Sequence, residues 1–122
     1  MIRYECAVAA TRGARDYQED SAAFWPGGAE PYAVAAGRAD EVGFAVLADG
    51  MGGHTGGALA SRIVCETFLK TAASLDVPLR ERLLASLEAA NAALAAKVDE
   101  SPMMAGMGST MIGTSFNGEG VS

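Results

Sequence analysis

The feature that most constrains this chain is an apolar run, residues 43–48, that ends in Asp49 and a glycine-rich segment. A short run of this composition predicts a buried strand. The glycines at positions 50, 52, 53, 56 and 57 predict a turn, after which the apolar residues recur at helical spacing. A strand that carries a carboxylate at its C-terminal end, beside a turn and a helix, holds that acid rigidly. The segment therefore predicts a metal site.

A second group of polar residues lies upstream, where Arg15 precedes Glu19 and Asp20. A guanidinium group binds phosphate through two fixed N–H bonds, and carboxylates bind hard divalent cations or the water around them. Together with Asp49, these residues supply the parts of metal-assisted hydrolysis of a phosphate ester.

Three blocks of the sequence, residues 15–21, 49–54 and 106–110, together resemble a known family. The family is the PPM group (type 2C) of metal-dependent serine/threonine protein phosphatases, in its bacterial form. The resemblance implies an αββα four-layer sandwich of antiparallel sheets flanked by helix pairs, present here only in part. It also implies two divalent cations, Mg²⁺ or Mn²⁺, that activate water. The implied reaction is hydrolysis of phosphoserine and phosphothreonine in a phosphorylated protein substrate, within a Ser/Thr kinase pathway.

The resemblance also implies roles for single residues. Asp49 matches the carboxylate that bridges both metals, and the backbone carbonyl of Gly50 matches a further ligand. Glu19 and Asp20 match an acid pair that holds metal-bound waters or completes the coordination of one metal, and Arg15 matches the phosphate clamp. Each residue also has a plainer interpretation: Asp49 as a turn former, the two upstream acids as solvated loop residues, and Arg15 as a surface charge.

His54 has two interpretations. Some family members place a histidine directly after the Asp-Gly pair, where it suits protonation of the leaving group, but Met51 occupies that position here. His54 comes three residues later, so it is either a general acid or a structural or solvent-facing histidine. No role is assigned to Ser109 or Thr110.

The resemblance is to the N-terminal part of the family's domain. The family takes further metal-binding aspartates from its second half, and no aspartate follows Asp99. We therefore expect residues 1–122 to be a truncated N-terminal portion of one phosphatase domain, whose activity alone is open. The alternatives are a non-catalytic phosphatase-like interaction module and a protein that only binds a divalent metal. A nucleotide-binding loop is disfavoured because no Gly-Lys-Ser/Thr motif is present.

Composition narrows the class of partner. The formal net charge of −6 argues against a nucleic-acid surface. No stretch predicts a signal sequence or a membrane span, so we expect a cytoplasmic protein without a membrane partner. Cys6 and Cys65 are expected to be buried free thiols.

The secondary structure is predicted from periodicity and turn residues. Strands are expected at residues 5–11, 21–25, 43–48 and 109–116, with an extended piece at 32–35, and the order of elements fits an α+β fold. Helices are expected at 58–73 and from a cap at Asp76 to residue 100. Their predicted apolar faces are Ala60, Val64, Phe68 and Ala72 in the first helix, and Leu83, Leu87, Ala90, Leu94 and Val98 in the second. A hairpin turn is predicted at 117–120, and a sheet edge left open there predicts self-association.

Overall fold

The computed structural model describes residues 3–15, 17–26, 34–38 and 42–122, and of residues 3–6, 34–38 and 53–55 it describes the backbone alone. The elements follow in the order β1 (Arg3–Ala7), β2 (Asp20–Trp25), β3 (Val34–Arg38), β4 (Gly43–Met51), α1 (Gly53–Ser74), α2 (Leu79–Glu100), β5 (Gly108–Asn117) and β6 (Gly120–Val121). A short 3₁₀ turn, Pro102–Met104, joins α2 to β5. The α+β fold class is confirmed.

Two antiparallel sheets are present in the described ranges. The larger has the strand order β2-β4-β5-β6, and the smaller pairs β1 with β3. Along β4 the side chains alternate in burial: Phe44, Val46 and Ala48 are buried beneath the helices, whereas Leu47 and Asp49 are exposed on the opposite face. The strand therefore presents its aspartate to the open face of the sheet.

Helix α1 supplies most of the layer that covers this sheet. Its predicted face is confirmed, since all four of its residues are buried in the core: Ala60, Val64, Phe68 and Ala72. The predicted start at residue 58 is wrong, because the helix begins at Gly53. The turn is made by Gly52 alone, whose φ of 136° lies in a region that favours glycine.

Helix α2 departs from the prediction in two ways. Its N-cap is Pro78 rather than Asp76, and no side chain caps it. Its buried face includes Ser86, whereas Leu87 is 47% exposed. Ser86 can be buried because its hydroxyl donates a hydrogen bond to the Arg82 carbonyl, 2.7 Å away, which satisfies its polar group.

The ends of the sheets also differ in part from expectation. Strand β1 lies earlier than predicted, over Arg3–Ala7, and β3 overlaps the expected extended piece but runs to Arg38. The hairpin at the end of β5 is confirmed: the Asn117 side-chain oxygen accepts hydrogen bonds from the backbone N–H groups of Glu119 and Gly120, at 2.8 and 3.1 Å. Neither helix of the described chain combines the length and apolar character that a membrane crossing requires.

Candidate metal and phosphate site

The strand register brings two predicted site residues together. Asp20, the first residue of β2, lies directly opposite Asp49 of β4. Residues directly opposite each other in an antiparallel pair point to the same face of the sheet. Both side chains are exposed there, and the Asp49 carboxyl group raises the pKa of the Asp20 carboxyl group. Two acids that are 29 positions apart in the sequence thus form one pair.

The electrostatics of the pair follow from this contact. Partial burial, then the hydrogen bond and negative charge of Asp49, raise the pKa of Asp20, and the positive charge of Arg15 partly offsets this. Two like charges held side by side disfavour full ionisation. A divalent cation between the carboxylates removes that repulsion, and their hard oxygen atoms suit Mg²⁺ or Mn²⁺. The pair therefore fits part of a metal site.

The backbone of Asp49 is held by β5. Thr110 is its cross-strand partner, and the Thr110 Oγ1 atom accepts a hydrogen bond from the Asp49 N–H at 3.3 Å. Ser109 Oγ lies 3.2 Å from the Asp49 carbonyl oxygen and 2.8 Å from that of Thr110, and it can donate its one proton to either. These hydroxyls, to which no role was assigned from the sequence, support the aspartate from the neighbouring strand. Their position in the third sequence block was the available signal.

Asp20 is supported from the other side by the preceding loop. The Gln18 side-chain oxygen accepts a hydrogen bond from the Asp20 N–H at 3.3 Å, and its Nε2 atom donates to the Thr11 carbonyl at 2.7 Å. One amide side chain thus links the start of β2 to the loop that carries Arg15.

Glu19 and Gly50 meet at the junction of β2, β4 and α1. The Gly50 N–H donates to the Glu19 carbonyl at 3.0 Å. The Glu19 carboxylate lies against Gly57 of α1, where a Cβ atom would collide with it. Among the described residues, no three His, Cys, Asp or Glu side chains form a group able to hold a metal ion. The structure therefore does not gather Glu19 into one cluster with the aspartate pair, and the metal roles of Glu19 and of the Gly50 carbonyl stay predictions.

Arg15 lies beside the aspartate pair on an exposed loop. It lines a surface cavity of about 340 Å³ together with Ala14, Tyr17 and Glu19. Its positive charge lowers the pKa of Asp20, against the larger opposing effects of burial and Asp49. A cationic side chain beside two carboxylates is suited to a phosphate that is bound next to a metal.

The remaining predicted residue is His54. It occupies the first turn of α1, but its side chain lies outside the described part of the structure. The assignment of His54 as a general acid stays a prediction.

Comparison with known structures places this site in context. A crystal structure of the Mycobacterium tuberculosis serine/threonine phosphatase PstP/Ppp matches 97% of this chain with a TM-score of 0.69 and 30% sequence identity. The chain is similar to part of a bacterial PPM-type serine/threonine phosphatase. A second structure, the catalytic domain of PstP in complex with two manganese ions, matches 96% of the chain with a TM-score of 0.64 and 29% identity.

Curated sequences support the same relationship over a shorter range. Serine/threonine protein phosphatase PstP from two strains of M. tuberculosis is 40% identical in an alignment of 77 residues that covers 59% of this chain. No protein-family model matches the chain. The match spans 14% of the length of the curated PstP sequences and 44% of the solved PstP chains. The four-stranded sheet with its two helices thus corresponds to a fragment of the PstP catalytic domain.

Proposed function

We propose that this chain is the N-terminal portion of a phosphatase domain that hydrolyses phosphoserine and phosphothreonine in proteins with two divalent cations, Mg²⁺ or Mn²⁺. The observation that carries the proposal is the Asp20–Asp49 pair with Arg15 beside it. The similarity to PstP, one structure of which contains two manganese ions, supports the same chemistry.

In this proposal each residue has one task. Asp49 and Asp20 hold the cations, with Glu19 and the Gly50 carbonyl as further oxygen donors. Bound cations lower the pKa of water and neutralise charge that develops on the phosphate oxygens. Arg15 orients the phosphate through its fixed pair of N–H donors.

The first experiment is a Mn²⁺ titration by calorimetry. Asp49→Asn should weaken binding by at least about tenfold, because it removes a charged oxygen ligand from the pair. Asp76→Asn is the matched control, since Asp76 is an exposed aspartate in the connection between α1 and α2. Binding that survives Asp49→Asn unchanged would sink the assignment of this residue.

The second experiment measures release of phosphate from a phosphothreonine peptide in Mn²⁺ by a complete phosphatase domain that contains this chain. Arg15→Ala should raise KM more than it lowers kcat, because the arginine binds the phosphate in both the ground state and the transition state. Asp49→Asn should abolish turnover. A loss of kcat at unchanged KM in Arg15→Ala would contradict the clamp role.

One observation favours a second function, a module that binds phosphorylated proteins without hydrolysing them. The cavity beside Arg15 and Tyr17 is formed within the described residues, so it can receive a phosphate group without a further segment. Fluorescence anisotropy with a labelled phosphothreonine peptide separates the two functions. Binding that depends on Arg15, with no phosphate released in Mn²⁺ by a complete domain that contains this chain, would favour the binding module.

A further inference from the structure

Helix α1 presents a row of small residues to the start of β2. Gly57, Ser61 and Cys65 are four residues apart, so they lie on one side of the helix. Ser61 is 0% exposed and Cys65 is 1% exposed. Gly57 lies against the side chain of Glu19. The row therefore follows the segment of residues 19–21, which contains Asp20.

Ser21 is bound to this row through two different groups. Its hydroxyl is 2.8 Å from the Ser61 hydroxyl, and Ser61 can donate its own proton to the Ala58 carbonyl at 3.2 Å. Either hydroxyl can be the donor in the contact between Ser21 and Ser61. The Cys65 thiol donates to the Ser21 carbonyl, with an Sγ to oxygen distance of 3.5 Å. Both the side chain and the backbone of Ser21 are thus fixed to α1.

This attachment bears directly on Asp20. Successive residues of a strand point to opposite faces, so Ser21 faces the helix while Asp20 faces the open side with Asp49. When both carboxylates are ionised, their like charges repel each other. Asp20 also lies at the end of a strand that the described chain pairs on one side, with β4. A strand end of this kind frays unless another contact holds it.

We propose that Ser61 is a positioning residue that keeps Asp20 opposite Asp49 by holding Ser21 against α1. The inference rests on the proposed cation site. Its energetic basis is the part-buried hydroxyl pair, because removal of the Ser61 hydroxyl takes from the half-buried Ser21 hydroxyl its partner on α1.

The test compares Ser61→Ala with a matched variant, Ser86→Ala. Ser86 is also 0% exposed, and it donates to the carbonyl of Arg82 within its own helix. Both substitutions remove a buried hydroxyl, but only that of Ser61 is linked to β2. Mn²⁺ affinity should fall by about tenfold in Ser61→Ala and stay unchanged in Ser86→Ala, while both variants shift the urea midpoint in the same direction.

Two further measurements complete the design. Ser21→Ala should weaken Mn²⁺ binding as Ser61→Ala does, and the double variant should be no weaker than either, because all three remove the same contact. This variant also keeps the test open if Ser61→Ala fails to fold, since Ser21 is only half-buried. Mn²⁺ affinity unchanged in both single variants, with only stability lowered, would overturn the positioning role.

Hydrogen exchange separates this inference from the cation site itself. The Gly50 N–H is bonded to the Glu19 carbonyl, so its exchange reports movement of residues 19–21. Exchange at Gly50 should accelerate in Ser61→Ala and not in Ser86→Ala, with or without Mn²⁺. If the wild-type protein and Asp49→Asn bind Mn²⁺ equally, the proposed cation site is wrong. Faster exchange of the Gly50 N–H in Ser61→Ala would still support the positioning role, and unchanged exchange would refute it.

Discussion

Two glycines at the junction of β2, β4 and α1 should respond in opposite ways to the same substitution. A Cβ atom at Gly50 would meet the carbonyl oxygen of Gly57, with its carbonyl carbon at 2.6 Å and the Glu19 carbonyl at 3.0 Å. All of these atoms belong to the backbone. A Cβ atom at Gly57 would instead meet the end of the Glu19 side chain, which can rotate away.

The magnitudes follow from what has to move. In Gly50→Ala the strand and the helix must separate, and overpacking of this kind costs about 1–3 kcal/mol of the free energy of unfolding. In Gly57→Ala the helix gains about 1 kcal/mol from the better propensity of alanine. Displacement of an extended carboxylate side chain offsets only part of that gain, so this variant should be as stable as the wild type or slightly more stable.

The site should respond differently from the fold. Gly57→Ala pushes the Glu19 carboxylate from its position, so Mn²⁺ affinity should fall by about tenfold although stability is kept. Gly56→Ala is the control, because its Cβ would meet only Met107 at an ordinary distance of 3.6 Å. It should gain the same helix propensity and leave Mn²⁺ affinity unchanged.

Urea unfolding and Mn²⁺ titration of Gly50→Ala, Gly56→Ala and Gly57→Ala test these expected effects on stability and on metal affinity. We expect a lower urea midpoint for Gly50→Ala alone and weaker Mn²⁺ binding for Gly57→Ala than for Gly56→Ala. A Gly57→Ala variant that unfolds as easily as Gly50→Ala would show that Glu19 cannot move aside. Equal Mn²⁺ affinity in Gly56→Ala and Gly57→Ala would show that the position of Glu19 is immaterial to the metal.

Two more predictions concern charge and packing. The pKa of Asp20 is raised in the fold, so its contribution to stability is present at acidic pH and is lost as the pH rises through that pKa. Asp20→Asn should therefore raise the urea midpoint of the metal-free protein near neutral pH but not at acidic pH. Equal shifts of the midpoint at both pH values would contradict this. Gly113→Ala should cost about 1–3 kcal/mol, since its Cβ would lie 2.5 Å from the buried ring of Phe68. A Cβ atom at Gly43 would also lie 2.5 Å from a ring, that of Phe116, but this ring is half-buried and can turn away. Gly43→Ala should therefore lower the urea midpoint less than Gly113→Ala, and an equal loss would refute this.

The sequence predicted those features that depend on local spacing. The prediction of the buried face of α1 was correct because Val64 and Phe68 follow the helical repeat directly. The predicted start of that helix was wrong because Gly56 and Gly57 favour a turn by propensity. In the fold Gly57 lies inside the helix, where its lack of a side chain lets Glu19 approach. A contact between distant segments overrode a local preference.

The site shows the same division. Arg15 and Asp49 could be identified as chemical groups from their sequence blocks. The pairing of Asp20 with Asp49 depends on the register between β2 and β4, which no local pattern specifies. The hydroxyl contact between Ser21 and Ser61 joins residues 40 positions apart, so it too became visible only in three dimensions.

Alkylation of Cys65 can report local opening of the fold between β2 and α1. Burial, and then the charge of Glu66, raise the pKa of its thiol to about 11, so the reactive thiolate is scarce at neutral pH, and the buried sulfur is shielded from reagents. Alkylation must therefore wait until β2 separates from α1. In a Cys6→Ser background, the labelling rate of this thiol would measure how often that separation occurs. A cation bound by Asp20 and Asp49 would hold β2 against β4 and so slow the labelling, although it binds on the opposite face of the sheet.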